Sequence, residues 1–334
     1  MSTTLDINQN DFVTVYQMII SAKSKVLQQV NSTLIALYWD VGGYVSRKVV
    51  KDGWGQGVVE QLSRYIVSQN QSIKGFSTRN IWRMKQFFEV YQQDTKLSAL
   101  LTEISWSNHL HILSKTKTME EKAFYLNLAI KHHYSERDFS RLIDSGTYER
   151  TALANQKLSA VLTEFPDSRD HFKDSYVFEF LELPDDHKEQ DLRKALIKHL
   201  KKFLMELGPD FTLMGEEYTL QVGMKDFRID LLMFHRALNC MVALELKSSE
   251  FQPAHLGQLQ FYLEVLDTDI KKPHENPSIG ILICKSRDDE VVKYAMNRHM
   301  SPTMIAEYET KLINKKLLQN KLHELSLSLM KFDE

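Results

Sequence analysis

Phe227-Arg228-Ile229-Asp230-Leu231-Leu232-Met233-Phe234 and, a few residues on, Met241-Val242-Ala243-Leu244-Glu245-Leu246-Lys247 decide the fold. Both runs are too apolar for surface loops and read as strands of a buried sheet. Each nevertheless carries charge. Side chains alternate faces along a strand, so Glu245 and Lys247 share one side while Leu246 takes the other. A carboxylate such as Asp230 in apolar surroundings needs a partner or an ion, and a cation bridging Asp230 and Glu245 would supply one. Hard divalent ions such as magnesium take oxygen ligands, usually one or two carboxylates plus waters and substrate phosphate. Paired acids with a lysine to orient the attacking water are the residues that metal-dependent phosphodiester hydrolysis requires.

Working outward, residues 188–207 read as one helix with Leu192, Leu196, His199, Phe203 and Glu206 along a single stripe. Thr212–Val222 reads as a strand turning at Gly223, and the two charged strands follow. Residues 254–267 form a helix with Leu256, Leu259, Leu263 and Leu266 inward, and residues 278–284 form another apolar strand. The resulting order is helix, three strands, helix, strand. Glu206 is an acid on an inward stripe, and Gln258 and Tyr262 lie four residues apart on one helix face.

An acid on one strand followed by acid-x-Lys on the next, in this order of elements, resembles the PD-(D/E)XK nuclease superfamily. Asp230 takes the first position and Glu245-Leu246-Lys247 the second. Gln258 and Tyr262 look like the Gln-x-x-x-Tyr motif of RecB-type members. The likeness covers nearly the whole chain and is that of the YhcG type, through Asn31, Leu37-Tyr38-Trp39, Gly42, Trp54-Gly55, Lys74-Gly75-Phe76-Ser77, Ser105-Trp106, Glu206-Leu207-Gly208, Gly257-Gln258 and Pro277-Ser278-Ile279-Gly280. One departure is Ser175 in Lys173-Asp174-Ser175-Tyr176, where proline is expected.

The resemblance implies an all-α N-terminal domain followed by an α/β restriction-endonuclease-like domain with a mixed central sheet flanked by helices. It implies Asp230, Glu245 and the Leu246 carbonyl as ligands of Mg2+, with Mn2+ as a substitute, and Lys247 as the group that positions water. Glu206, Gln258 and Tyr262 are then accessory residues. The implied activity is a magnesium-dependent deoxyribonuclease serving DNA repair, recombination or defence against foreign DNA, with RNA not excluded as substrate. A catalytically silent nucleic-acid-binding or assembly module keeping the same fold is the alternative. Outside that context, Asp230 reads equally as a buried acid held by Arg228 or a backbone amide, and Glu245 with Lys247 as a surface pair.

The 334 residues suffice for two domains, and 43% hydrophobic content supports real cores. A net charge of −2 means that any affinity for phosphates must come from local basicity. Candidate surfaces are the helix bearing Lys188, Arg193, Lys194, Lys198, Lys201 and Lys202, the Lys271-Lys272 pair, and Arg236 beside the Asp230 strand. No run approaches the roughly 18 apolar residues of a membrane span, which with the absence of a leader-like N-terminus predicts a cytoplasmic protein. Cys240 and Cys284 sit in apolar strands and read as reduced core residues.

Residues 1–150 read as all helical. A long element from about residue 8 to 50 carries Val13, Tyr16, Met18, Ile19 and Ile20, then Leu34, Ile35 and Tyr38, and breaks at Asp52-Gly53-Trp54-Gly55. Helices follow over 57–69, 78–92 with Ser77 as cap, 106–113, 120–132 and 136–144. The pair joined by residues 72–76 resembles a helix-turn-helix whose second helix bears Arg79, Arg83 and Lys85, so this domain contacts nucleic acid, a partner protein or a second copy of the chain. The boundary falls within residues 151–185, where Pro166, Asp167, Ser168 and Pro184 interrupt the pattern, and the nuclease domain spans 186–334.

Overall fold

The computed structural model describes residues 9–154, 157–163, 172–297 and 299–330, with side chains described from residue 29 to residue 324. The side chains of Val13, Tyr16 and Met18-Ile19-Ile20, and the stretch Pro166-Asp167-Ser168, lie outside the described residues. The chain divides into two compact units, Met1–Ile143 and Asp144–Glu334.

The first unit is helical: α1 (Gln9–Asp52), α2 (Gln56–Gln69), α3 (Thr78–Tyr91), α4 (Trp106–Lys115), α5 (Met119–His132) and α6 (Glu136–Asp144), with short turns between α3 and α4. The Ser77 side chain accepts a hydrogen bond from the Asn80 amide and starts α3, satisfying one of the free donors that every helix start exposes. α1 and α3 pack closely because Gly42 has no side chain. A Cβ there would stand 2.1 Å from the Met84 carbonyl oxygen. Val45, Val59 and Ile81 bury completely between α1, α2 and α3, and Tyr38 meets Phe76 and Trp106 edge-on.

The second unit is a sheet with helices on both faces. It contains α7 (Thr147–Ala152), β1 (Lys157–Leu158), β2 (Ser175–Val177), α8 (Glu189–Lys198), α9 (Leu200–Leu207), β3 (Phe211–Val222), β4 (Lys225–His235), β5 (Cys240–Glu250), α10 (Ala254–Val265), β6 (Ile279–Ser286), α11 (Asp289–Met296), β7 (Thr303–Glu309) and α12 (Lys315–Met330). The strand order is β1-β7-β6-β5-β4-β3, and β2 also pairs with β7. β3, β4 and β5 form an antiparallel meander, whereas β5, β6 and β7 run parallel through helical crossovers. This is the mixed sheet the sequence leads one to expect.

Strand alternation divides the core into two layers. Leu231, Met233, Val242, Leu244, Leu246, Ile281 and Ile283 bury with Leu192, Leu196, Phe203 and Leu207 of α8 and α9. Leu232, Ala243, Leu282 and Cys284 bury against Leu256, Leu259, Tyr262 and Leu263 of α10. Cys240 and Cys284 are both buried and free.

Two features depart from the sequence reading. Residues 188–207 are two helices, because His199 leaves helical geometry at φ −109° and ψ 31° and serves as the end of α8 and the start of α9. Residues 151–185 also contribute to the sheet, with β1 antiparallel and β2 parallel to successive stretches of β7. Strands of two and three residues are too short to show a hydrophobic period.

Candidate active site

The β4–β5 ladder pairs His235 with Cys240 and continues to Leu231 opposite Leu244, where it stops. Asp230 and Glu245 are the residues next in line. Instead of a ladder bond, the Asp230 carboxylate turns toward the neighbouring strand and its Oδ2 accepts the Leu246 amide N–H at 2.9 Å. The strands part at the two acids, and Asp230 holds the opening by replacing a backbone acceptor with its side chain.

Glu245 and Lys247 project on the α10 side of β5, as alternation requires, while Leu246 is wholly buried on the α8 side. Lys247 Nζ lies 3.1 Å from Glu245 Oε1 and 3.6 Å from Glu189 Oε2 of α8. Arg193, one turn beyond Glu189, donates from Nη1 to Asp230 Oδ1 at 2.8 Å and reaches Glu217 Oε1 of β3 at 2.9 Å through Nη2. Two groups result, Glu217–Arg193–Asp230 and Glu189–Lys247–Glu245, four acids beside two bases. The acids outnumber the bases.

Burial and the adjacent Asp230 charge lift the Glu245 carboxyl to about 7, against the pull of Lys247. Burial pushes the Lys247 ammonium down, but Glu245 and Glu189 outweigh it and hold its pKa above the usual lysine value. Glu245 Oε2 is buried with no hydrogen-bond partner. An ionised carboxylate in that condition is costly unless a cation compensates it. An orphaned acid oxygen, a second carboxylate beside it and more acids than bases around them fit a hard divalent ion. Among the described residues no three His, Cys, Asp or Glu side chains gather as a metal cage. The protein would therefore offer the one or two carboxylates typical of magnesium sites that share their ion with substrate phosphate.

The other predicted residues separate into near and far. Gln258 Nε2 donates to the Tyr262 hydroxyl at 2.6 Å, and Tyr262 feels the charges of Glu245, Asp230 and Lys247, so this pair borders the site. Glu206 does not. Its fully buried carboxylate accepts from Arg150 Nη1 at 2.9 Å and from the Val177 amide at 3.1 Å, with Lys173 Nζ at 3.7 Å. The expectation that it reaches the metal site is corrected: the inward acid at the end of α9 neutralises Arg150. The acid that reaches Lys247 is Glu189. Arg236 is exposed, six residues beyond Asp230 along β4 or roughly 20 Å, and is no part of this group. Asp230 is held by Arg193 and a backbone amide, not by the exposed Arg228.

In the N-terminal unit, Lys85 pairs with Glu89 at 2.6 Å, whereas Arg79 and Arg83 line a concavity with Gln56, Thr78, Trp82 and Gln86. The sequence reading missed Glu189, Arg193 and Glu217 as site residues. Glu189 and Arg193 are four apart on one helix face, a signal that points them the same way without saying at what.

A mixed sheet whose antiparallel meander feeds a parallel pair, with Asp230 and Glu245-Leu246-Lys247 where the strands part, defines an α/β domain of the PD-(D/E)XK class. Residues 169–323 match the YhcG PDDEXK nuclease domain and residues 14–150 match the DUF1016 N-terminal domain. Together the two matches take in most of the chain, the first in the sheet-bearing unit and the second in the helical one. The chain is 28% identical to YhcG of Escherichia coli (strain K12) over 351 residues, 92% of each chain. Among solved structures, EndoMS in a complex with double-stranded DNA is similar over 39% of this chain and 47% of its own (TM-score 0.28, 19% identity). A repair endonuclease from Pyrococcus abyssi is similar over 38% and 48% (TM-score 0.26, 17% identity). Each likeness spans about half of the solved chain.

Proposed function

We propose that the chain hydrolyses phosphodiester bonds of DNA at the site formed by Asp230, Glu245 and Lys247, with Mg2+ as cofactor, in repair, recombination or defence against foreign DNA. The observation that carries this reading is the orphaned, buried Glu245 oxygen beside Asp230 at the parting of β4 and β5, with Lys247 3.1 Å away.

Asp230 and Glu245 would hold the ion, with the carbonyl of Leu246, next to Glu245 on β5, as a third oxygen. When bound, such an ion supplies charge neutralisation at the phosphate and a more acidic water. Lys247 presents its ammonium beside Glu245, where it orients a water and attracts a phosphate oxygen. Glu189 and Arg193 hold Lys247 and Asp230 in place from α8. Leu246 and Leu244 anchor β5 in the core and keep the charged pair from shifting.

The test is to incubate the purified full chain with linear, nicked, branched and circular DNA and with RNA, in magnesium, manganese or EDTA. Cleavage of DNA is expected with metal and not in EDTA. Asp230→Ala and Lys247→Ala are each expected to lower the rate about 100-fold or more. Cleavage unchanged in both variants overturns the site, and no cleavage of any substrate under any metal overturns the activity.

A further inference from the structure

We infer that the concavity between α2 and α3 binds single-stranded nucleic acid, with Arg79 and Arg83 on backbone phosphates and Trp82 against a base. This deepens the reading above by naming the form of nucleic acid, and rests on that reading only for the class of ligand. The concavity is lined by Gln56, Thr78, Arg79, Trp82, Arg83 and Gln86, with no carboxylate among them.

Arg79 and Arg83 lie four apart on α3 and so share a face. Neither takes part in an ion pair or hydrogen bond among the described residues, whereas nearby Lys85 is paired with Glu89 and Arg64 with Glu60. Two guanidinium groups with no opposing acid, facing one hollow, select an anion, and their planar forks suit phosphate oxygens.

The third feature decides the form of the ligand. Trp82 is half-buried between the arginines in sequence. It packs against the Val45, Val59 and Ile81 core while also lining the hollow. An aromatic ring packed on the core, with Lys85 Nζ 5.9 Å from its centre and two arginines beside it, is a combination on which unpaired bases stack. A duplex conceals its base faces inside the stack, and reading it through the major groove requires a projecting helix rather than a hollow. The hollow favours an unpaired strand over the groove contact that the helix-turn-helix outline of α2 and α3 suggests.

The experiment measures binding by the full chain in EDTA, using fluorescence anisotropy of a short fluorescein-labelled DNA oligonucleotide, single-stranded or annealed to its complement, across a salt series. The single strand is expected to bind more tightly. Arg79→Gln with Arg83→Gln is expected to weaken it tenfold or more and to reduce the log-log salt slope by about 1.4, the share of two phosphates on a single strand. Trp82→Leu, which keeps an apolar side chain against the core, is expected to weaken it at least about fivefold, and Trp82→Phe to retain most of the affinity. If Trp82→Leu unfolds by circular dichroism, the arginine variant and Trp82→Phe decide.

Tighter binding of the duplex, unchanged affinity in the arginine variant, or no nucleic-acid binding by the wild type overturns the inference. Metal-dependent cleavage that survives intact in an arginine variant with unchanged binding refutes this site and leaves the nuclease reading standing. Selective strand binding without cleavage does the reverse.

Discussion

Glu206→Gln separates a structural acid from a catalytic one. Glu206 is fully buried, and its carboxylate receives Arg150 Nη1 at 2.9 Å and the Val177 amide at 3.1 Å, with Lys173 Nζ at 3.7 Å. The Arg150 side chain is only 6% exposed, so a neutral amide opposite it leaves a guanidinium uncompensated in the core. Breaking one side of a buried pair costs about 3–5 kcal/mol. Against a domain stability of roughly 5–15 kcal/mol, a third or more of the total is at stake. In urea this amounts to a fall of roughly 1 M or more in the midpoint. All four tryptophans, Trp39, Trp54, Trp82 and Trp106, lie in the first unit, so their fluorescence reports that unit alone. The second unit is followed by amide-hydrogen exchange of the β2 and α9 peptides. Glu206→Gln is expected to speed that exchange and leave the tryptophan transition where it was. Glu206→Leu combined with Arg150→Met removes both charges and is expected to recover much of the loss. Unchanged exchange with weakened metal binding would show that Glu206 serves the active site and would refute the reasoning.

Two further outcomes concern the first unit. Gly42→Ala places a methyl 2.1 Å from the Met84 carbonyl and forces α1 and α3 apart, so the tryptophan-monitored stability should fall by about 1–3 kcal/mol; an unchanged midpoint would mean that the helices do not approach so closely. His109 is wholly buried, donates from Nε2 to the Leu101 carbonyl at 2.7 Å, and burial drops its pKa from 6.5 to about 4. The folded unit therefore binds fewer protons than the unfolded chain between those values, and the stability present above pH 6.5 declines toward pH 4 by at most roughly 3 kcal/mol. Urea midpoints of the wild type and of His109→Gln across that range check it, since the variant should lose this component of the slope.

The parts of the fold that could be read from the chain are those set by local period. Alternation in β4 and β5 put Glu245 and Lys247 on one side and Leu246 in the core, where they are found. Ser77 caps α3, and helices of the first unit begin and end within a few residues of where their pattern does. What could not be read depends on helix direction. The stripe Leu192, Leu196, Phe203, Glu206 is buried throughout, yet the turn at His199 sends Glu206 to Arg150 and leaves Glu189 and Arg193 facing the acids. No proline or glycine marks that turn. Nor does Ser175, which stands where proline was expected, announce that its carbonyl receives Arg150.

Sequence alone determined the two strands that carry Asp230, Glu245 and Lys247 and the side of the sheet that Glu245, Leu246 and Lys247 each take, because alternation along a strand acts between residues one or two apart. Tertiary structure decided which charges meet. Arg193 reaches Asp230 across 37 positions and Arg150 reaches Glu206 across 56. Such pairs form only after the sheet and its helices have fixed where each side chain points, and burial then determines which charges must be compensated.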